Sequence, residues 1–329
     1  MRLYEILKEG GNAFKNPKVD DLIVRIQRND IDPTLQFIAS TLKIPGIDYN
    51  YLKEHLMGSA GRQQSSGDLD IAVNSTEYRP FSPKIVISFP LSMLKNIATI
   101  TRQKLGDEYV VSTGISGGQI NTAWPIAGNI KNGLVQVDFI HGDAEWLKFS
   151  HWSPGADISP YKGVFISTLL GVLAKLKKIW QWPEQEVENP LDRKARLGWS
   201  YDLEKGLHVS AKAQKRDGMG MSNMEPDEWE TYVGHKWTDS NPTRVPRIGY
   251  VKNPDDVVRI LLGDDITPQH IQTFEQLWDI IKRKSLDGDG TIPFTVDQIK
   301  QRFAEALTRS STGKDFKDIN DVLSLPVFN

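Results

Sequence analysis

Asp138 stands inside Leu134-Val135-Gln136-Val137-Asp138-Phe139-Ile140, a run whose apolar character otherwise marks a strand buried in a sheet. A carboxylate buried there is costly unless it is paired, hydrogen-bonded or bound to a cation. Any fold this chain adopts must therefore bring a partner to Asp138. In Asp68-Leu69-Asp70-Ile71-Ala72-Val73 two more acids open a second strand-like run. Side chains alternate along a strand, so Asp68 and Asp70 project from one face. Two acids alone would not position a pair of divalent cations, whereas a third on an adjacent strand would complete the set.

Alone, Asp-x-Asp reads first as an edge strand with solvated acids, and Asp138 alone is as easily salt-bridged as metal-bound. The neighbouring residues change that reading. Gly58 and Ser59 precede Asp68 by a short gap, at a strand-to-turn junction where backbone N–H groups and a hydroxyl can face phosphate oxygens. Arg62 adds a guanidinium to the same stretch. Lys162, at the head of an amphipathic run, is the lysine best placed to reach a triphosphate.

The absence of cysteine among 329 residues excludes disulfides, thiolate zinc sites and cysteine nucleophiles. Oxygen ligands and six histidines remain, which selects a hard cation. Net charge is −2, so any grip on nucleic acid needs a local basic face. No apolar run approaches the ~20 residues of a membrane span, and the first segment lacks a secretory core. The expectation is a cytoplasmic protein with no membrane insertion.

Length favours two or three domains of about 100–200 residues. Residues 1–50 read as an N-terminal helical segment, with Asp32-Pro33 as N-cap and first helical residue. Residues 51–182 carry the β-rich runs IAVN, KIVISF, YVVSTGI, INTAWPIAG and LVQVDFI, with helices near 91–105 and over 162–180. The stripe Phe165, Leu169, Leu173, Leu176 of the second helix should pack on the sheet. Residues 183–252 hold a hairpin turning at Glu204-Lys205-Gly206 and a loop-rich stretch. Residues 253–329 read as a C-terminal helical domain, with starts at Asn253-Pro254 and Thr267-Pro268 and a capping box at Thr295 and Gln298. The expected fold class is α+β.

Gly58-Ser59, Asp68-Leu69-Asp70 and Asp138 together resemble the shared pattern of the DNA polymerase beta superfamily of nucleotidyltransferases. Arg62 and Ser65-Ser66-Gly67-Asp68-Leu69-Asp70 resemble the family X polymerases within it, with a gap about one residue shorter. Leu147-Lys148-Phe149-Ser150-His151-Trp152-Ser153 is loosely similar to the family X segment that contacts the incoming sugar and base, with His151-Trp152 replacing its glycine. Gly10-Gly11-Asn12-Ala13-Phe14 also resembles nucleotidyltransferase-like proteins of tailed bacteriophages. The resemblance runs from Met57 to Ser153.

It implies a polymerase-beta-like palm, flanked by N-terminal helices and a C-terminal helical domain. Asp68, Asp70 and Asp138 would be its catalytic, metal-binding acids, and Gly58, Ser59, Arg62, Ser66 and Gly67 its nucleotide contacts. The cofactor would be Mg2+ (or Mn2+) and the donor an NTP or dNTP, ATP among them. A nucleoside monophosphate would pass to a hydroxyl, with a nucleic-acid 3′ end as the first candidate acceptor. In a phage-encoded protein the compartment would be the host cytoplasm. The rival is a catalytically silent nucleic-acid-binding or virion structural module on the same fold.

Other motifs are weaker. Residues 285–292 imitate a calcium loop, but Val296 stands where that loop needs its bidentate glutamate, so they read first as a helix connection. Lys162, Lys175, Lys177, Lys178 and the basic stretch 212–220 read first as solvated surface, Lys162 being the one nearest the acids. His141 reads first as a satisfied neighbour at a strand end.

Overall fold

Alternation along three neighbouring strands decides which side chains meet. The structure, a computed structural model, describes residues 13–74, 89–111, 118–155, 158–181, 196–214, 221–224, 250–309, 316 and 318–328. It is mixed α+β. The chain forms two units: Met1–Val164 with Gln272–Phe274, and Phe165–Ile271 with Glu275–Asn329.

The first unit opens with α1 (Pro17–Asp20), β1 (Ile26–Gln27), α2 (Arg28–Leu42) and α3 (Tyr49–Glu54). β2 (Leu56–Met57), β3 (Ser65–Ser66), β4 (Asp68–Asn74), α4 (Phe89–Leu105), β5 (Val110–Val111), β6 (Gln119–Pro125), β7 (Leu134–Gly142) and α5 (Ala144–Ser150) follow. A five-stranded sheet runs β2-β4-β7-β6-β5, with β4 and β7 parallel and the other pairs antiparallel. One face carries Leu69, Ile71, Val73, Val135, Val137, Phe139, Ile120 and Trp124, all buried against α2 and α4. From α2 come Ile31, Leu35, Ile38 and Leu42, whose spacing places them on one helical stripe.

The opposite face carries Asp68, Asp70 and Ala72, then Gln136, Asp138 and Ile140, then Gln119, Asn121 and Ala123. Ala72 and Ile140 pack with Met57, Ala144 and Leu147 at one end of this face. Ala123 and Leu134 pack with Phe14 and Val19 at the other. The polar side chains lie between these two small apolar clusters.

Within the expected N-terminal helical segment, α2 supplies part of the core beneath the sheet. The helix begins at Arg28, five residues before Pro33, so Asp32-Pro33 is not its start. Thr34 Oγ1, which donates to the Asp30 carbonyl (2.6 Å), also accepts from Ala127 N (2.9 Å) and ties this turn to the sheet.

The second unit takes most of α6 (Gly163–Leu176), then β8 (Lys178–Gln181), β9 (Arg196–Asp202), β10 (Gly206–Gln214) and β11 (Met221–Met224), an antiparallel sheet in the order β11-β10-β9-β8. α7 (Pro254–Leu262), most of α8 (Phe274–Lys284), α9 (Val296–Arg309) and α10 (Ile319–Leu323) complete it. The expected helix over 162–180 stops at Leu176, and the next residues form a strand. Its stripe does not belong to the first sheet: the Phe165 ring lies 6.0 Å from Phe303 and 6.2 Å from Phe316. The division therefore falls at Val164/Phe165 rather than at 182. Lys177 is half-buried and donates to the Ile260 carbonyl, which removes it from the solvated face.

The hairpin forms as expected, with Gly206 opposite Asp202 and the Asp202 carboxylate accepting from Glu204 N and Lys205 N. Asn253 caps α7, and Thr295 and Gln298 make the reciprocal cap of α9. Thr267-Pro268 opens only a single 3-10 turn, Pro268–Ile271. In the loop at 285–292, Asp289 caps Thr291 N and approaches Lys284 at 3.5 Å, while Asp287 accepts from Val296 N. Both acids are spent on holding the connection. The run KIVISF lies outside the described residues up to its last phenylalanine, as does YVVSTGI beyond Val111 and the basic stretch from 215 to 220. No helix among the described residues is long and apolar enough to cross a membrane.

Candidate metal centre

Strand register brings the three acids together. Asp70 lies opposite Asp138 across the parallel pair β4 and β7, and Asp68, two residues earlier, shares their face. Carboxylate oxygens of Asp68, Asp70 and Asp138 all lie within 4.8 Å of one another. Burial, then the charges of Asp68 and Asp138, holds the Asp70 carboxyl well above the ordinary carboxylate range. Burial and the charge of Asp68 push Asp138 up to about 7, against the pull of hydrogen bonds from Asn121, Gln136 and Gln119. A cluster this close is unfavourable as three bare carboxylates. An oxygen-only donor set with so little intervening space fits a hard divalent cation, whose charge would relieve that repulsion.

The turn at 58–66 closes over the cluster. Gly58 has φ +67°, and a Cβ there would stand 2.5 Å from Asp70 Oδ2. Only glycine lets this backbone approach the carboxylate without displacing it. Ser59 Oγ and buried Ser66 Oγ are 2.8 Å apart, Arg62 N and Gln63 N both bond to the Ser59 carbonyl, and Gly67 is buried at the head of β4. Arg62 donates to the Gly58 carbonyl, and its guanidinium lies 4.0 Å from the centroid of the Trp152 ring. Trp152 is itself tied down, its indole N–H donating to the Gln272 carbonyl at 2.9 Å.

Gly58→Ala is expected to lower stability by about 1–2 kcal/mol, the cost of a left-handed alanine. It should weaken Mn2+ binding out of proportion, because Asp70 must swing away. Denaturant melts and Mn2+ titration of the same variant separate the two effects.

Beside this turn a cavity of about 550 Å³ is lined by Arg25, Gln27, Arg28, Asn29, Arg62, Gln63, Gln64 and Ser65. Three guanidinium side chains and no carboxylate line it, a composition that suits a polyanion. β1 brings the first two arginines there by pairing with β3, Ile26 opposite Ser66 and Gln27 opposite Ser65. Arg25 donates to Ser65 Oγ (3.0 Å) and to the Ser65 carbonyl (2.7 Å).

No protein-family model matches this chain, and no curated protein matches its sequence.

The predicted site residues Gly58, Ser59, Arg62, Ser66, Gly67, Asp68, Asp70 and Asp138 thus gather on one face and the turn above it. Lys162 precedes α6, half-buried, where Gly163 N bonds to Ser153 Oγ; it does not line the basic cavity. His141 ends β7, with its backbone N–H on the Gly118 carbonyl (2.7 Å). Burial lowers the His151 pKa, and its Nδ1 lies 3.1 Å from Ser150 Oγ.

Sequence reasoning missed Arg25 and Arg28 in the cavity, and the amides Gln119, Asn121 and Gln136 around Asp138. The arginines depend on a pairing between residues about 40 apart, which leaves no local trace. The amides were legible in principle, since Gln136 is two residues before Asp138 and Gln119 two before Asn121, each pair on one face.

Proposed function

We propose that this chain is a metal-dependent nucleotidyltransferase with a polymerase-beta-like palm, moving a nucleoside monophosphate from an NTP or dNTP to a hydroxyl acceptor. The observation that carries the reading is the register of Asp70 opposite Asp138, which gathers three carboxylates under a turn whose Arg62 is one of three arginines lining a cavity. Acids to hold cations and a cleft that suits polyphosphate are two requirements of attack on an α-phosphate.

Asp68, Asp70 and Asp138 would hold Mg2+ or Mn2+. When bound, such ions supply Lewis acidity to the attacking hydroxyl and to the leaving pyrophosphate. Arg25, Arg28 and Arg62 neutralise triphosphate charge in the cavity. Gly58 lets the turn that carries Arg62 come into contact with Asp70. Trp152 and the Gly58 carbonyl hold the Arg62 guanidinium in one orientation, so little side-chain freedom is left to lose on binding. The first candidate acceptor is a nucleic-acid 3′ end.

Incubation with each labelled NTP and dNTP plus Mg2+, offered DNA, RNA and protein acceptors, tests the reading. Label transferred to one acceptor is the expected result. Label on none, with nucleic acid still bound, would favour a silent binding module. Arg28→Ala and Arg62→Ala are each expected to lower kcat/KM about ten- to a hundredfold, mainly through KM for the nucleotide, in steady-state assays.

A further inference from the structure

The Asp138 carboxylate is enclosed by carboxamide donors from two strands. Asn121, directly opposite it in register, donates from Nδ2 to Oδ1 at 2.6 Å. Gln136 donates from Nε2 to both oxygens, at 2.9 Å and 3.1 Å. Gln119 donates from Nε2 to Oδ2 at 3.1 Å. The Gln136 amide is oriented from its far side, because Oε1 accepts the Ala13 backbone N–H at 3.1 Å. Each carboxylate oxygen thus receives two N–H contacts.

The single Gln136 nitrogen contacts both oxygens and so occupies the place from which a cation would chelate them together, which leaves a bond through one oxygen as the geometry a cation can take. None of the three donors is charged, so none competes with a cation for the carboxylate as an arginine or lysine would. We propose that Gln119, Asn121 and Gln136 are positioning residues that hold Asp138 as a one-oxygen ligand and thereby select small six-coordinate cations, Mg2+ or Mn2+, over Ca2+. Calcium takes more oxygen ligands and readily accepts carboxylates through both oxygens, whereas magnesium requires near-octahedral geometry. Hydrogen-bonded partners of a ligand set its orientation, and their loss commonly costs ten- to a hundredfold in metal affinity. The inference rests on the proposed metal site and adds its selectivity.

The test measures Mn2+ affinity by electron paramagnetic resonance and Ca2+ affinity by competition, without nucleotide, in the full chain. The proteins are the parent, Gln136→Met, Asn121→Leu and Gln119→Met, with Asp70→Asn as the site control. Gln119→Met changes a half-buried side chain and guards against misfolding of the two buried variants, which thermal melts will report. The expected result is Mn2+ binding about tenfold weaker or more in the amide variants, with the preference for Mn2+ over Ca2+ narrowed. Variants that fold and bind both ions as the parent does would overturn the selectivity role and leave the metal site standing. A parent that binds no Mn2+, or binds it as well with Asp70→Asn, would overturn the metal site and this inference together.

Discussion

Nucleotide transfer should fall about a thousandfold in Asp70→Asn and in Asp138→Asn, while Asp70→Asn melts at or above the parent's temperature in metal-free buffer. The two halves of this expectation come from one geometry. Three carboxylates within 4.8 Å repel, and burial denies them solvent, as the raised pKa values of Asp70 and Asp138 record. Replacing Asp70 by an amide of the same shape relieves that repulsion, so the metal-free protein can gain stability, whereas an amide at Asp138 would turn an N–H toward the donors Asn121, Gln136 and Gln119. The same change removes one of the proposed cation ligands, and a thousandfold loss corresponds to about 4 kcal/mol of transition-state stabilisation. Transfer assays and calorimetry in EDTA check both halves. Variants with the parent's activity would remove these acids from the site.

The second large effect is on pH and metal together. Asp138 titrates near 7 in the folded protein, against an ordinary value of 3.8. Between those values the native state keeps a proton that the unfolded chain has released, so metal-free stability should fall as pH rises from about 4 to 7 and then level off. Asp70, shifted in the same direction, adds to the slope. Mg2+ or Mn2+ at a hundred times its Kd should restore about 2.7 kcal/mol at pH 8. At pH 5 the gain should shrink, because the cation must displace protons. Melting curves with EDTA and with Mg2+ at each pH are the measurement. A flat profile in EDTA with no rise on adding Mg2+ at pH 8 would sink the metal assignment.

The acid cluster was legible because strand chemistry is local: a period of two puts Asp68 and Asp70 on one face, and an acid in an apolar strand demands a partner. That Asp138 stands on an adjacent strand was inferred from the need for a third carboxylate, whereas the parallel pairing of β4 and β7 and the alignment of Asp70 with Asp138 are long-range facts that no local pattern shows. The arginine cavity was not legible, since Arg25 and Arg28 sit in an unremarkable stretch and acquire meaning only when β1 pairs with β3. The α6 stripe was read correctly as apolar but given the wrong neighbour, because periodicity shows that a face is buried and not against what. Pro33 misled for a similar reason. Proline favours a helix start, yet here it lies within the helix.

Gln272–Phe274 belongs to the first unit although most of the second unit lies between it and Val164. Through the Gln272 carbonyl it anchors Trp152, and through Trp152 it steadies Arg62. A ribosome delivers the chain in order, so this anchor emerges about 110 residues after Val164. During synthesis the acids can assemble on their sheet well before the arginine beside them is braced. The nascent first unit would therefore pass through a stage with its three acids gathered and Arg62 not yet braced by Trp152.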